Sequence, residues 1–284
     1  MSSQPNPHGN LSAIRNAPGV PVIHSVNWGG LKTLYVKEVR RFFKVQLQTI
    51  WAPAVTTLLF LAIFTVSMGS GRGGARPDIM GVHFADFIAP GLIVMGMMQN
   101  AFANASFSLL SGKMQGTIVD YLMPPLSTGE LMAALLGGAV TRAVCVGAAV
   151  WGAMALWPGV SVTPMHFWAV VWFGLLGALL LALMGLLTSL WADKFDHAAA
   201  VTNFVVAPLT LLSGTFYSVD RLAPVFRVIR HFNPFFYVIS GFSYGFLGLS
   251  DSPVLVGSVV VLGLDAVLAL VIYLLLNSGW KIKN

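Results

Sequence analysis

Residues 213–248 read SGTFYSVDRLAPVFRVIRHFNPFFYVISGFSYGFLG, and the fold turns on how they are read. They lie between two long apolar segments. They are dense in aromatic rings, yet broken by Pro224, Asn233, Pro234, Gly241 and Gly245, and they carry Asp220, Arg221, Arg227 and Arg230. That is too apolar for a solvated loop. It is also too interrupted for a clean span, which needs about 20 consecutive apolar residues. The number of membrane crossings, and so the side on which each end lies, depends on this segment.

The composition makes the membrane setting clear. Of 284 residues, 56% are hydrophobic and 9% are charged, against about 25% charged in a soluble domain. A soluble chain of this length has too little interior to hide so much apolar surface. The apolar runs are long and uninterrupted, where barrel strands would alternate over roughly 10 residues, so the class is an all-α integral membrane protein. The net charge of +6 does not point to nucleic acid. The bases sit at the edges of the apolar runs, where they orient the chain and meet anionic membrane lipids. The single cysteine, Cys145, lies inside an apolar run and reads as a small packed side chain. Residues 1–27 hold Pro5, Pro7, Pro18 and Pro21 and lack the apolar core of a signal peptide. They read as a disordered tail that stays in the cytosol.

Residues 28–44, WGGLKTLYVKEVRRFFK, have apolar residues at helical spacing among Lys32, Lys37, Arg40, Arg41 and Lys44. This pattern predicts an amphipathic helix lying in the membrane interface. Within it, Arg41 at i+3 is the natural partner of Glu38. Six spans are expected at about 49–68, 87–110, 131–156, 165–191, 198–216 and 254–277, with a turn at Trp157, Pro158 and Gly159. Residues 232–250 are uncharged and could make a seventh. Charge opposes that. With six spans, one side holds Arg15, Lys32, Lys37, Arg40, Arg41, Lys44, Lys113, Lys194, Lys281 and Lys283, and the other holds Arg72, Arg76, Arg221, Arg227 and Arg230. This bias places both termini in the cytosol. Residues 217–250 are then a re-entrant segment that dips into the outer leaflet, its prolines and glycines acting as hinges.

Several constellations carry chemical content. Residues 117–123 predict two short helical turns on the cytosolic face, closed by Pro124 and Pro125. Ser127 and Glu130 have capping-box spacing at the start of the third span. Asn100, Asn104 and Ser108 recur every four residues and share one helix face. They either line a polar path or bond between helices. Arg142 and Asp265 are the ionisable residues deepest in spans, either as a functional site or as a structural pair, with a direct pair as one option. Gly174, Ala178 and Ala182 form a small-residue stripe for helix packing. Asp193, Asp196 and His197 crowd a short loop that reads as a solvated turn. No histidine has metal-ligand spacing, so no metal site is expected. The chain has no GxxxxGK[ST] phosphate loop, since Met114 follows Gly112 and Lys113.

From about residue 28 onward the chain resembles the permease of an ABC-2 type transporter, most closely the bacterial six-span permeases encoded apart from their ATPase. The resemblance is carried by FIAPGLIVMGMMQNAFAN at 87–104, GTIVDYLMPPLS at 116–127, and the motifs S-G-x-F-Y, N-P-x-x-Y and G-F-x-Y-G-F-L-G within 213–248. It implies a bacterial inner-membrane exporter subunit that is not itself an enzyme. Two copies would pair and bind two separate ATPase subunits, which hold the ATP and Mg; this chain would carry no cofactor. Residues 116–123 would be the coupling helix, with Gly116, Thr117, Asp120 and Tyr121 at or near the ATPase. Lys37, Glu38, Arg40 and Arg41 would lie on the connecting helix. The substrate path would be lined by Asn100, Asn104 and Asn203, with Phe216 as an apolar plug. The substrate class implied is amphipathic or lipid-like. An ion-coupled secondary transporter and a non-transporting membrane scaffold are the alternatives. The first would usually show an internal repeat, and none is evident.

Overall fold

The computed structural model describes residues 26–69, 78–79, 82–157, 160–213 and 232–281. Phe216, most of the N-terminal tail, Pro158, Gly159 and the first half of the expected re-entrant segment lie outside them. Among the described residues the regular structure is helical apart from a pair of two-residue strands, Asp78–Ile79 and Val82–His83.

Helix α1 spans Trp28–Phe43, with Asn27 as its N-cap accepting from the Gly30 N–H at 2.9 Å. Its buried face is Leu34, Glu38 and Phe42, spaced by four, and it packs on α5. A turn at Lys44 and Val45 leads into the first span, where the Thr49 hydroxyl donates to the Phe42 carbonyl at 2.9 Å. That span begins with a π-helical segment, Leu47–Trp51, and continues as α2, Ala52–Gly69. Helix α3 runs Phe84–Met114, α4 Val119–Leu122, α5 Thr128–Ala155 and α6 Phe167–Trp191. Helix α7, Phe195–Val201, passes through a second π-helical segment, Thr202–Val206, into α8, Ala207–Leu211. Helices α9, Pro234–Leu247, and α10, Val254–Ser278, complete the fold.

Both π-helical segments have one cause. The residue after each segment is alanine, and the next is proline, Pro53 or Pro208. Proline lacks an N–H, and its ring crowds the carbonyl four residues back. The backbone widens to make room, so the Ala52 and Ala207 N–H groups reach back five residues, to Leu47 and Thr202.

Four described helices are long and apolar enough to cross a membrane: Leu47–Val66, Thr128–Ala155, Phe167–Trp191 and Val254–Ser278. Helix α3 is not among these four, although its 31 residues reach about 46 Å. Asn100, Asn104, Ser106, Ser108 and Ser111 lower its hydropathy. It tolerates them because it is the central helix, packed most extensively on α6 and α5, with most of its residues buried. Helix α9 has 14 residues, about 21 Å, short of the roughly 30 Å hydrocarbon core. Gly241 and Gly245 are not hinges. They lie inside this continuous helix, where a Cβ would strike the Phe173 ring and the Val170 backbone. Asn233 caps the start of α9 and ties it to the end of α8. Its Nδ2 donates to the Leu209 carbonyl at 2.8 Å and to Ser213 Oγ at 2.9 Å, while its Oδ1 caps the Phe235 N–H at 3.1 Å.

The expected small-residue stripe is in the core, since Ala178 and Ala182 are fully buried and Gly174 lies against Met97 and Phe242. The backbones of α3 and α6 come close at Gly185, where a Cβ would stand 2.5 Å from the Phe102 carbonyl oxygen. Backbone cannot rotate away as a flexible side chain can. Gly185→Val should therefore lower the unfolding free energy by about 1–3 kcal/mol or more, whereas Gly152→Val, with open space at its Cβ, should change it little. Reversible denaturation in mixed micelles measures both.

Candidate functional site

The densest polar cluster lies where α1, α3, α4 and α5 meet at one end of the bundle. Glu38 is fully buried at its centre. It gets there because α5 presents Gly138, whose absent Cβ would be 2.7 Å from the Glu38 Cβ. Small residues of this kind let two helices close in. Arg41, one turn on, pairs with the carboxylate at 2.9 Å as its spacing predicted. Ser108 Oγ on α3 donates to the same oxygen at 2.9 Å. The Tyr121 hydroxyl on α4 reaches the other oxygen at 3.5 Å. A buried carboxylate is tolerable only when paired and hydrogen-bonded, and here three elements supply the partners.

Arg41 extends the cluster. Its Nη2 also donates to the carbonyl and the side-chain oxygen of Asn104, each at 3.1 Å. One turn earlier on α3, Asn100 accepts from Arg142 Nη2 at 2.9 Å. The asparagine face therefore bonds between helices, taking Arg41 from α1 and Arg142 from α5. Arg142 and Asp265 do not pair with each other. Asp265, buried on α10, has no hydrogen-bond partner among the described residues.

The segment after α3 starts with a defined stop. Gly116 has φ +70°, and the Thr117 and Gly116 N–H groups return to the Gly112 and Lys113 carbonyls at 2.9 and 3.2 Å. This is the glycine-terminated helix end that satisfies orphan carbonyls. The expected two turns over 117–123 are the single turn α4. Gly116, Thr117 and Asp120 are exposed. Tyr121 instead turns inward, its ring against Gly112 and under the Lys37 ammonium at 3.9 Å. Met114, Val119 and Met123 form an exposed apolar set beside it, with Met123 79% exposed. Sequence reasoning missed these three and Gly138, although Gly137 and Gly138 inside a span were the available signal. The Ser127–Glu130 capping box is present, and Glu130 also accepts from the Asn27 N–H, so the starts of α1 and α5 are tied together. Asn203 is exposed in the second π-helical segment, away from bonds to Asn100 or Asn104. No group of metal-ligating residues occurs among the described residues.

The buried ion pair thus joins an amphipathic basic helix to a short turn between two long helices. The family model for ABC-2 type transporter matches residues 30–247. The chain belongs to the ABC-2 type transporter family. The inner membrane transport permease YadH of Escherichia coli K12 is 37% identical over 258 residues, covering 90% of this chain and 98% of YadH. Nodulation protein J of Rhizobium leguminosarum bv. viciae is 26% identical over 208 residues, covering 72% of this chain and 78% of that protein. As an ABC-2 type permease, the chain carries no ATPase domain and depends on a partner ATPase. That accords with the missing phosphate loop.

The loop after α6 is also more than a solvated turn. Lys281 Nζ donates to Asp193 Oδ2 at 2.9 Å and to the Trp191 carbonyl at 3.1 Å, fastening the end of α10 to this permease's α6–α7 loop.

Two outcomes are expected. Glu38→Ala strands Arg41 and Ser108 and should cost about 1–3 kcal/mol, the lower part of that range because Arg41 is 32% exposed. Glu38→Gln, which keeps neutral bonds, should cost less, and a double-mutant cycle with Arg41→Met in micellar denaturation isolates the pair. The hydrogen bond from Lys281 holds the Asp193 carboxyl below the usual carboxylate range. The fastening it contributes is therefore present above the ordinary aspartate pKa of about 4 and is lost as pH falls through the lower folded value. Hydrogen-exchange protection factors at the end of α10, corrected for the intrinsic pH dependence of exchange, should fall on acidification in the wild type and stay constant over that window in Asp193→Asn.

Proposed function

We propose that this permease is the membrane half of an ATP-driven exporter in the bacterial inner membrane. Two copies pair and engage two ATPase subunits. Each crosses the membrane six times with both termini in the cytosol. The fifth crossing is built from α7, the π-helical segment and α8, and α9 belongs to a re-entrant segment on the outer side. The name of YadH supports the location. The shortness of α9 and the charge bias support the crossing count.

The observation that carries the reading is the Tyr121–Glu38–Arg41 connection. Residues 116–123 present Gly116, Thr117 and Asp120 outward to the ATPase, while Tyr121 reaches inward. ATP binding closes the two ATPases and displaces this coupling turn. Through Glu38 the displacement reaches α1 and α3 together, so the spans swing from inward-facing to outward-facing. The path runs between spans 1, 2 and 5 of the two copies. Asn203 lines it and Phe216 plugs its outer end, while Asn100 and Asn104, buried in their inter-helix bonds, brace the wall behind it. An amphipathic or lipid-like molecule suits that lining.

The purified permease should hydrolyse no ATP. With its ATPase in proteoliposomes, it should export substrate only when that ATPase is hydrolysis-competent. Hydrolysis by the isolated chain refutes the assignment. Export that survives a hydrolysis-dead ATPase and collapses with an uncoupler indicates ion-coupled transport instead. Met123→Asp should weaken ATPase binding about tenfold or more, with the stability of the isolated permease unchanged because that side chain is exposed.

A further inference from the structure

A cavity of about 1220 Å³ opens between α1 and α3 and reaches Arg142 on α5. Lys32, Lys37, Arg40, Arg41, Lys44 and Arg142 line it, and no carboxylate does. Among the described residues, the one carboxylate paired with any of these cations is Glu38, behind the wall on Arg41. Arg142 is bonded to a neutral amide, and Arg41 Nη1 and Arg142 Nε have no hydrogen-bond partner. The N-terminal tail cannot neutralise the cavity, since residues 1–27 contain no Asp or Glu. Between the cations the wall is apolar, formed by Val36, Phe42, Val45, Ala103 and Phe107. Phe107 is stacked on Phe195 at 4.7 Å and so is held in place. Phe43, Val45 and Leu47 continue the apolar surface outward along the chain.

Such a recess fits neither a free ion nor a neutral drug. Uncompensated cations seek an anion, and guanidinium groups suit phosphate oxygens in particular. An apolar wall beside them seeks hydrocarbon. We infer that this groove is the loading site for a phosphate-bearing lipid, taking the headgroup on the α1 cations and the start of its acyl chains along Phe107 and Val45. The inference deepens the exporter reading by naming its substrate class. It also makes loading visible to the coupling turn. Lys37 sits over the Tyr121 ring and Arg41 on Glu38, so a headgroup phosphate competes for the same two cations that hold the coupling turn to α3.

Native mass spectrometry of the full-length permease, released from micelles containing phosphatidylglycerol or phosphatidylcholine, tests the site. Wild type should retain phosphatidylglycerol in preference. The triple variant Lys32→Gln, Arg40→Gln, Lys44→Gln alters exposed side chains only and should lose about tenfold or more of that affinity, with phosphatidylcholine retention unchanged. Lys194→Gln, an exposed cation outside the groove lining, should leave it unaltered. An unaltered preference in the triple variant, or an equal loss in the control, overturns the assignment. Displacement of the lipid by inorganic phosphate alone identifies a free-anion site and also overturns it. So does protection of the three cations by the ATPase without any lipid preference, which marks an acidic protein surface as the occupant. With no variant at all, a photoactivatable phosphatidylglycerol should label residues 32–48 and 103–115; labelling elsewhere counts against the groove. Binding is read without the ATPase. Failure of ATP-driven export therefore strikes the functional reading and leaves this result standing, and the converse holds.

Discussion

A carboxylate buried in a protein this apolar has to be neutralised locally, and the disposition of four helices follows from how Glu38 meets that demand. Its partners come from its own helix, from α3 and from α4, and Gly138 on α5 provides the space. Removing a full charge from water costs several kcal/mol per ion unless the charge is paired and its lone pairs are filled. The four elements must therefore keep their relative positions for the cluster to exist. The ion pair adds little net stability compared with packed hydrocarbon. What it adds is a fixed arrangement, because no other register of α1 on α3 and α5 brings Arg41 and Ser108 to the same oxygen.

The same logic runs along α3. Polar groups accumulate on the helix least exposed to its surroundings, because neighbouring helices can satisfy them. Asn100 and Asn104 take guanidinium groups from two different helices. The outer helices α2 and α10 are mostly exposed and almost wholly apolar. Helices α6 and α9 hold the interior by shape, with glycines at the points where backbones and rings come closest. Proline acts twice in the opposite sense, widening the backbone ahead of α2 and of α8.

These features join the exposed turn α4 of the permease to its central helix α3 by a route through Tyr121, Glu38 and Ser108. The basic groove borders that route and shares Arg41 and Lys37 with it. On the function and the lipid site proposed above, force from the ATPase and charge from a headgroup act on one set of side chains.

Much of this was written in the order of residues. Apolar runs marked the long helices to within a few positions, because hydrophobic burial in a membrane leaves few alternatives. Glu38–Arg41, the Ser127–Glu130 cap and the Asn100–Asn104–Ser108 face were legible because each follows from helical periodicity alone. The composition and lengths of 232–250 could not decide between a span and a shorter helix, and they could not reveal that Gly241 and Gly245 are contact points. Nor could spacing say that Arg142 would find Asn100 rather than Asp265, that Tyr121 would turn inward, or that six cations would enclose one groove. Local sequence determines which backbone hydrogen bonds form and which face of a helix is apolar. Which faces meet is decided only when the helices pack, because partner choice for a buried charge depends on distances between residues that are remote in the chain.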